Sequence, residues 1–232
     1  MLRNLRTALP LFGLFILALP PVLVGGISLS SIIQGQPNGM VSPADVARHA
    51  SYPWAVTLHI LGGSAMLILG LTQFSATLRR RWPRVHRWLG RLLLILGAGF
   101  SLTALWMNRS PMRMADSALH DGAQNAAAVA FLVIATLGFL AARRRNWPAH
   151  RAWMMRAFAL TMGSGTQTAL LLPVFLVYGK VEGLAADLVF MGAWAVNLGL
   201  AEWVIRHPQR PSPARADRRT APMQPVPVAT AR

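Results

Sequence analysis

Two stretches of this chain repeat one pattern. They read Arg79-Arg80-Arg81-Trp82-Pro83-Arg84-Val85-His86-Arg87-Trp88 and Arg143-Arg144-Arg145-Asn146-Trp147-Pro148-Ala149-His150-Arg151-Ala152-Trp153, with the His seven positions after the first Arg in both. Two further histidines, in Leu58-His59 and Leu119-His120, precede the copies by about the length of a membrane span. Paired imidazoles facing each other across a helical bundle are the axial ligand set of a b-type haem, which also needs an apolar pocket with room for a flat macrocycle. Small neighbours suggest that room: Gly62 and Gly63 after His59, Gly90 one turn after His86, and Ala123 after His120. His150 breaks the trend with Trp153 and Met154. Haem propionates call for cations, and Arg84, Arg87, Arg91, Arg151 and Arg156 crowd the His86/His150 level. The expected cofactor is therefore haem b, with His86 and His150 as one pair of iron ligands, His59 and His120 as the other, and Gly90, Arg91 and Arg156 around the first pair.

Most of the motif has a simpler purpose. Arginine runs after a span set topology, Trp favours the membrane interface, and Pro pre-sets the first helical turn. None of these purposes calls for imidazole. His59 stands out further because it lies inside an apolar run, where an ionisable residue is costly. Arg91 and Arg156 lie one or two turns inside their runs, where an arginine needs a partner or must snorkel.

Other chemistries find no support. The 232 residues include no cysteine, which excludes thiolate nucleophiles, iron–sulfur clusters and cysteine-based zinc sites. There is no H-E-x-x-H, G-x-S-x-G or P-loop, and Gly163-Ser164-Gly165-Thr166-Gln167 reads as small-residue helix packing.

The elements that must position the histidines are membrane helices. The chain is 54% apolar with a mean hydropathy of +0.42, and its 13% charged residues are roughly half the share of a soluble domain. Six runs reach the ~20 residues that a spanning helix needs: 8–33, 54–78, 88–107, 123–142, 153–178 and 184–205. The first contains Pro20-Pro21 and reads as a kinked span. Ser42-Pro43-Ala44-Asp45 reads as a capped start of a short helix ahead of the second span. The expected fold is all-α, a six-span bundle whose spans two to five form a pseudo-symmetric four-helix core. The repeated units, each entering from the same side, are parallel copies related by rotation about the membrane normal.

A net charge of +16 would suggest nucleic acid in a soluble protein, but here the basic residues alternate with apolar spans and follow topology. With the N-terminus inside, nineteen of the 23 Lys and Arg residues fall on the inner side. Both termini are therefore expected in the cytoplasm, with the chain in the bacterial inner membrane. Residues 207–232, rich in Pro and Arg, read as a disordered cytoplasmic tail. His86 and His150 then sit near the inner surface, His59 and His120 near the outer. The inner pair matches in depth. His59 precedes Arg79 by 20 residues and His120 precedes Arg143 by 23, so the outer pair differs in height by roughly 4 to 5 Å.

The residues His59-Ile60-Leu61-Gly62, Gln73-Phe74, His86-Arg87-Trp88-Leu89-Gly90-Arg91 and His150-Arg151-Ala152-Trp153-Met154-Met155-Arg156 carry a resemblance to a family. Over about residues 53–173 the chain resembles bacterial multi-pass membrane proteins filed as a domain of unknown function. That resemblance implies a membrane protein without an assigned activity. The two-level layout of histidines is similar to that of di-haem transmembrane b-type cytochromes, which reduce ferric iron or quinones with cytosolic donors.

The leading expectation is an electron carrier or oxidoreductase subunit binding one or two b haems. Its partners would be membrane lipid and a quinone or other redox partner, with no role for nucleic acid. A transporter or proton-conducting protein is the second reading, resting on His59, Gln73, Gln167, Asn197, Asp187 and Glu202 as polar groups within spans. In it Glu202 pairs with Arg206 one turn on. An accessory subunit, whose polar groups merely bond neighbouring helices, is the third.

Overall fold

A computed structural model describes residues 2–38, 40–50, 52–109, 117–179 and 183–207. The tail beyond His207 lies outside the described residues. Among the described residues the chain forms eight helices and no strand: α1 Leu2–Gln34, α2 Pro43–Ala50, α3 Pro53–Gln73, α4 Ala76–Arg81, α5 Pro83–Met107, α6 Ala118–Arg143, α7 Trp147–Tyr178 and α8 Leu184–Arg206. Six of them, all but α2 and α4, are long and apolar enough to cross a membrane.

Local chemistry accounts for the helix starts. Proline occupies the first turn of α3, α5 and α7, where its missing N–H has no helical partner to lose. Ser42 and Asp45 close a capping box on α2: the Asp45 N–H donates to Ser42 Oγ at 3.2 Å and the Ser42 N–H donates to Asp45 Oδ2 at 3.3 Å. The second span ends at Gln73, earlier than the apolar run implies. Ser75 caps a new short helix, accepting the Leu78 N–H at 3.2 Å, so Ala76 and Leu78 belong to α4 and lie outside the span. At the starts of α5, α6 and α7 the helices extend further than hydropathy alone implies. His86 and His150 fall in the first turns of α5 and α7, and His120 lies within α6.

Helix α1 runs unbroken through Pro20 and Pro21. Pro21 has no N–H to give the Leu17 carbonyl. Gly165 of α7 packs against that carbonyl so closely that a Cβ would stand 2.7 Å from it. A side chain there would push α1 off α7.

The centre is a ring of α3, α5, α6 and α7. The neighbours of each are those of a two-fold exchange: α3 packs on α5 as α6 packs on α7, and the seams α5/α6 and α3/α7 join the two pairs. Met66, Leu93, Phe131, Ala135, Ala157 and Leu160, contributed by all four helices, fill the middle. Gly97 admits the Phe131 ring, which a Cβ would meet at 2.6 Å. The outer helices break the exchange: α1 covers the α3/α7 seam, and α8 packs on α7 and α6.

Candidate functional site at the arginine-rich end

At the end of the ring that carries the arginine runs, His86 projects from the first turn of α5 and His150 from the first turn of α7. Asn146 fixes the start of α7 by accepting the Ala149 N–H at 3.1 Å. His150 Nδ1 donates to the Gly138 carbonyl of α6 at 2.8 Å. The approach depends on glycine, since a Cβ at 138 would lie 2.5 Å from Met154. With Nδ1 committed to a carbonyl, Nε2 of His150 is the nitrogen left to bind something else, the usual second-shell arrangement of a ligating imidazole.

His86 differs. Its Nδ1 is buried and has no hydrogen-bond partner among the described residues. His150, Arg79 and Arg87 all stand within electrostatic reach of it. Gln73, the last residue of α3, adds a second orphan at this level: its Nε2 is buried and also without a partner. Its Oε1 faces Gly90, where a Cβ would meet it at 3.3 Å. The space beside Gly90 is thus taken by the Gln73 amide. An unmet buried polar atom costs on the order of 1–3 kcal/mol, so each of the two calls for a partner that the described residues do not supply.

Arginine surrounds this level. Arg79 Nη1 donates to the Gln73 carbonyl at 3.1 Å, tying α4 to the end of α3. Burial, and then the charges of Arg151 and Arg80, hold Arg79 below the ordinary arginine value. It remains a cation throughout the physiological range.

The two deeper arginines have other surroundings. Arg156 is bonded through Nε to Glu202 Oε1 and through Nη2 to Glu202 Oε2 at 3.1 Å, and its guanidinium lies 4.6 Å from the Trp153 ring centroid. Arg206, the partner expected for Glu202, is the more distant one, with Nε 3.7 Å from Oε2. Arg156 therefore has its counter-charge already. Arg91 is exposed on the outer flank of the ring, at the α5/α6 seam.

At the opposite end the histidines are held apart by different neighbours. His59 Nδ1 donates to the Phe100 carbonyl at 3.1 Å, and its ring stacks on Phe100 with centroids 4.3 Å apart. Gly62 and Gly63 admit the backbone of Leu96 and the ring of Phe100 rather than a free slot. Both nitrogens of His120 are engaged: Nδ1 donates to Asp187 Oδ1 at 3.1 Å and Nε2 accepts from Gln124 Nε2 at 2.8 Å. Ser117 Oγ donates to the other Asp187 oxygen at 2.5 Å. The two histidines share no hydrogen-bond partner.

Two buried groups carry no signal in the motif. Asp187 becomes a site residue only because α8 folds back onto the start of α6. His49 of α2 is 1% exposed, with Nδ1 donating to the Asp45 carbonyl at 2.7 Å. Their only trace in the sequence is polarity beside an apolar run.

Among the described residues, no three or more His, Asp or Glu side chains gather as a metal site. No curated protein matches the chain, and no solved structure matches it. The six long apolar helices agree with a family model that matches residues 56–205: the chain belongs to the DUF2306 family of predicted membrane proteins.

Proposed function

We propose that this integral membrane protein is an electron carrier holding one b-type haem between His86 and His150 at its arginine-rich end. The observation that carries the reading is the state of the two imidazoles. They come from equivalent first turns of α5 and α7 and lie within electrostatic reach of each other. One is oriented by the Gly138 carbonyl, and the other keeps a buried nitrogen without a partner. Neutral imidazole oriented in this way is the form that ligates iron. When bound, the haem supplies one-electron redox chemistry. The chain's own residues supply the rest: His150 is held in register through Gly138, and Arg79, Arg87 and Arg151 offer the positive charge that propionates require.

The His59/His120 level supports a structural role better, because each histidine is bonded within its own set of helices. Electrons would then pass between a redox partner docked at the arginine-rich end and a quinone dissolved in the bilayer. The excess of arginine supports a cytoplasmic position for that end, with the protein in the cell membrane.

Four of the polar span residues that favour a transporter have local partners instead. Gln167 Nε2 donates to the Phe190 carbonyl at 3.1 Å, Asn197 Nδ2 donates to Thr166 Oγ1 at 3.0 Å, Asp187 holds Ser117 and His120, and Glu202 holds Arg156. Each bond ties α8 to α6 or α7 or joins neighbouring turns, and none continues into a path.

The test is an absorption spectrum of detergent-purified protein from haem-supplemented cells, oxidised and then reduced with dithionite. A Soret band and reduced b-type bands are expected, lost in His86→Ala and in His150→Ala while the protein still inserts. Wild-type protein without a Soret band would overturn the reading.

A further inference from the structure

Two of the ring's four seams join the repeated halves, and the two-fold exchange of α3 with α6 and α5 with α7 carries the α3/α7 seam onto the α5/α6 seam. Helix α1 fills the first. Neither α1 nor α8 touches α5, so the second is uncovered along α5. A groove of about 440 Å³ runs there, lined by Leu94, Ile95, Ala98, Phe131, Leu132 and Phe139 among others. Arg91 is the one charged residue lining it. Thr136, also in the lining, has spent its hydroxyl on the Leu132 carbonyl at 2.8 Å.

The groove is therefore apolar along its length and cationic at one end. Arg91 lies eight residues beyond Pro83, roughly 12 Å along α5. Helical side chains lean toward the N-terminus of their helix, which for α5 is the arginine-rich end, so the guanidinium reaches back toward the headgroup layer while its stem stays on the groove. Among the described residues no ion pair involves Arg91, and Asp187 and Glu202, the carboxylates of α8, are bonded elsewhere. An amphiphile with an anionic head fits where α1's counterpart is missing.

We propose that the α5/α6 groove is a binding site for an anionic phospholipid, with its phosphate on Arg91 and an acyl chain lying along Leu94, Ala98 and Phe131. The site is independent of the haem reading. A second copy of the chain is the less suitable occupant, because its span carboxylates are spent in the same way.

Native mass spectrometry of the detergent-purified full chain tests it, after incubation with dioleoyl phosphatidylglycerol or dioleoyl phosphatidylcholine. Wild type should retain phosphatidylglycerol in preference to phosphatidylcholine. Arg91→Gln should weaken that retention about fivefold, the worth of one arginine near a charged headgroup. Arg91→Lys should keep most of it, and Arg109→Gln, at an exposed arginine beyond the far end of α5, should keep all of it. Ala98→Leu should lower retention of both lipids by filling the groove. Equal retention by wild type and Arg91→Gln would overturn the proposal. So would a lipid-free dimer that Ala98→Leu dissociates, which would give the groove to a second copy.

Discussion

Arg156 of α7 and Glu202 of α8 meet through two parallel hydrogen bonds, the fork-to-carboxylate geometry that only arginine makes. The pair is half-buried, with side-chain exposures of 23% and 31%, and Arg206 stands at its rim. Glu202→Ala should lower stability in detergent by about 1–2 kcal/mol, because it strands Arg156 among apolar side chains. The double variant Arg156→Met with Glu202→Met should recover most of that loss in a thermal unfolding assay. If the single and double variants unfold together, the pair is not what ties α7 to α8 there.

Glycine spacing offers a sharper contrast on the same interface. A Cβ at Gly163 would fall 2.2 Å from the Trp194 ring, whereas one at Gly199 meets nothing within 4 Å. Gly163→Ala should cost about 1–3 kcal/mol through overpacking. Gly199→Ala should be neutral or stabilising by up to about 1 kcal/mol, through helix propensity alone. Thermal midpoints of the two variants check both signs.

The proposed haem site makes a prediction about which histidines matter. His59→Ala and His120→Ala should keep the reduced b-type bands, unlike the two variants at the arginine-rich end. His120→Ala should instead loosen the α6/α8 junction, seen as faster proteolysis near Ser117. Gly90→Leu should displace the Gln73 amide and perturb the spectrum without removing it. Loss of half the haem in His120→Ala would restore a second site at the opposite end.

The natural absence of cysteine gives a clean background for topology. Single cysteines at Gln36 and Ser117 should react with an impermeant reagent added outside the cell, and one at Ala214 should not. Labelling at 214 alone would invert the orientation.

The six spans and the repeat were legible because hydropathy and the Trp-Pro and His-Arg spacings are local properties. The end of the second span was not, since Ala76, Thr77 and Leu78 continue the apolar run, and only Ser75 with its capping geometry marks the break. Glu202 shows the same limit. Its i,i+4 neighbour Arg206 is visible along the sequence, whereas Arg156, 46 residues away, becomes its partner only when α8 packs on α7. Small residues were misleading in one respect. Gly62 and Gly63 read as room for a macrocycle, but a glycine also lets a neighbouring helix come closer, and Phe100 takes the space. Matched depth pairs His86 with His150 along the sequence, but nothing local distinguishes the orphaned Gln73 from any other polar residue at the end of a span.

The apolar fill of the four-helix ring, from Met66 through Phe131 to Leu160, has a consequence for the cell. A proton crossing among those side chains would have to shed its hydration with little polar to replace it. The expected consequence is a protein that accumulates in an energised membrane without short-circuiting the gradient that membrane maintains. High expression should leave the membrane potential of the host unchanged.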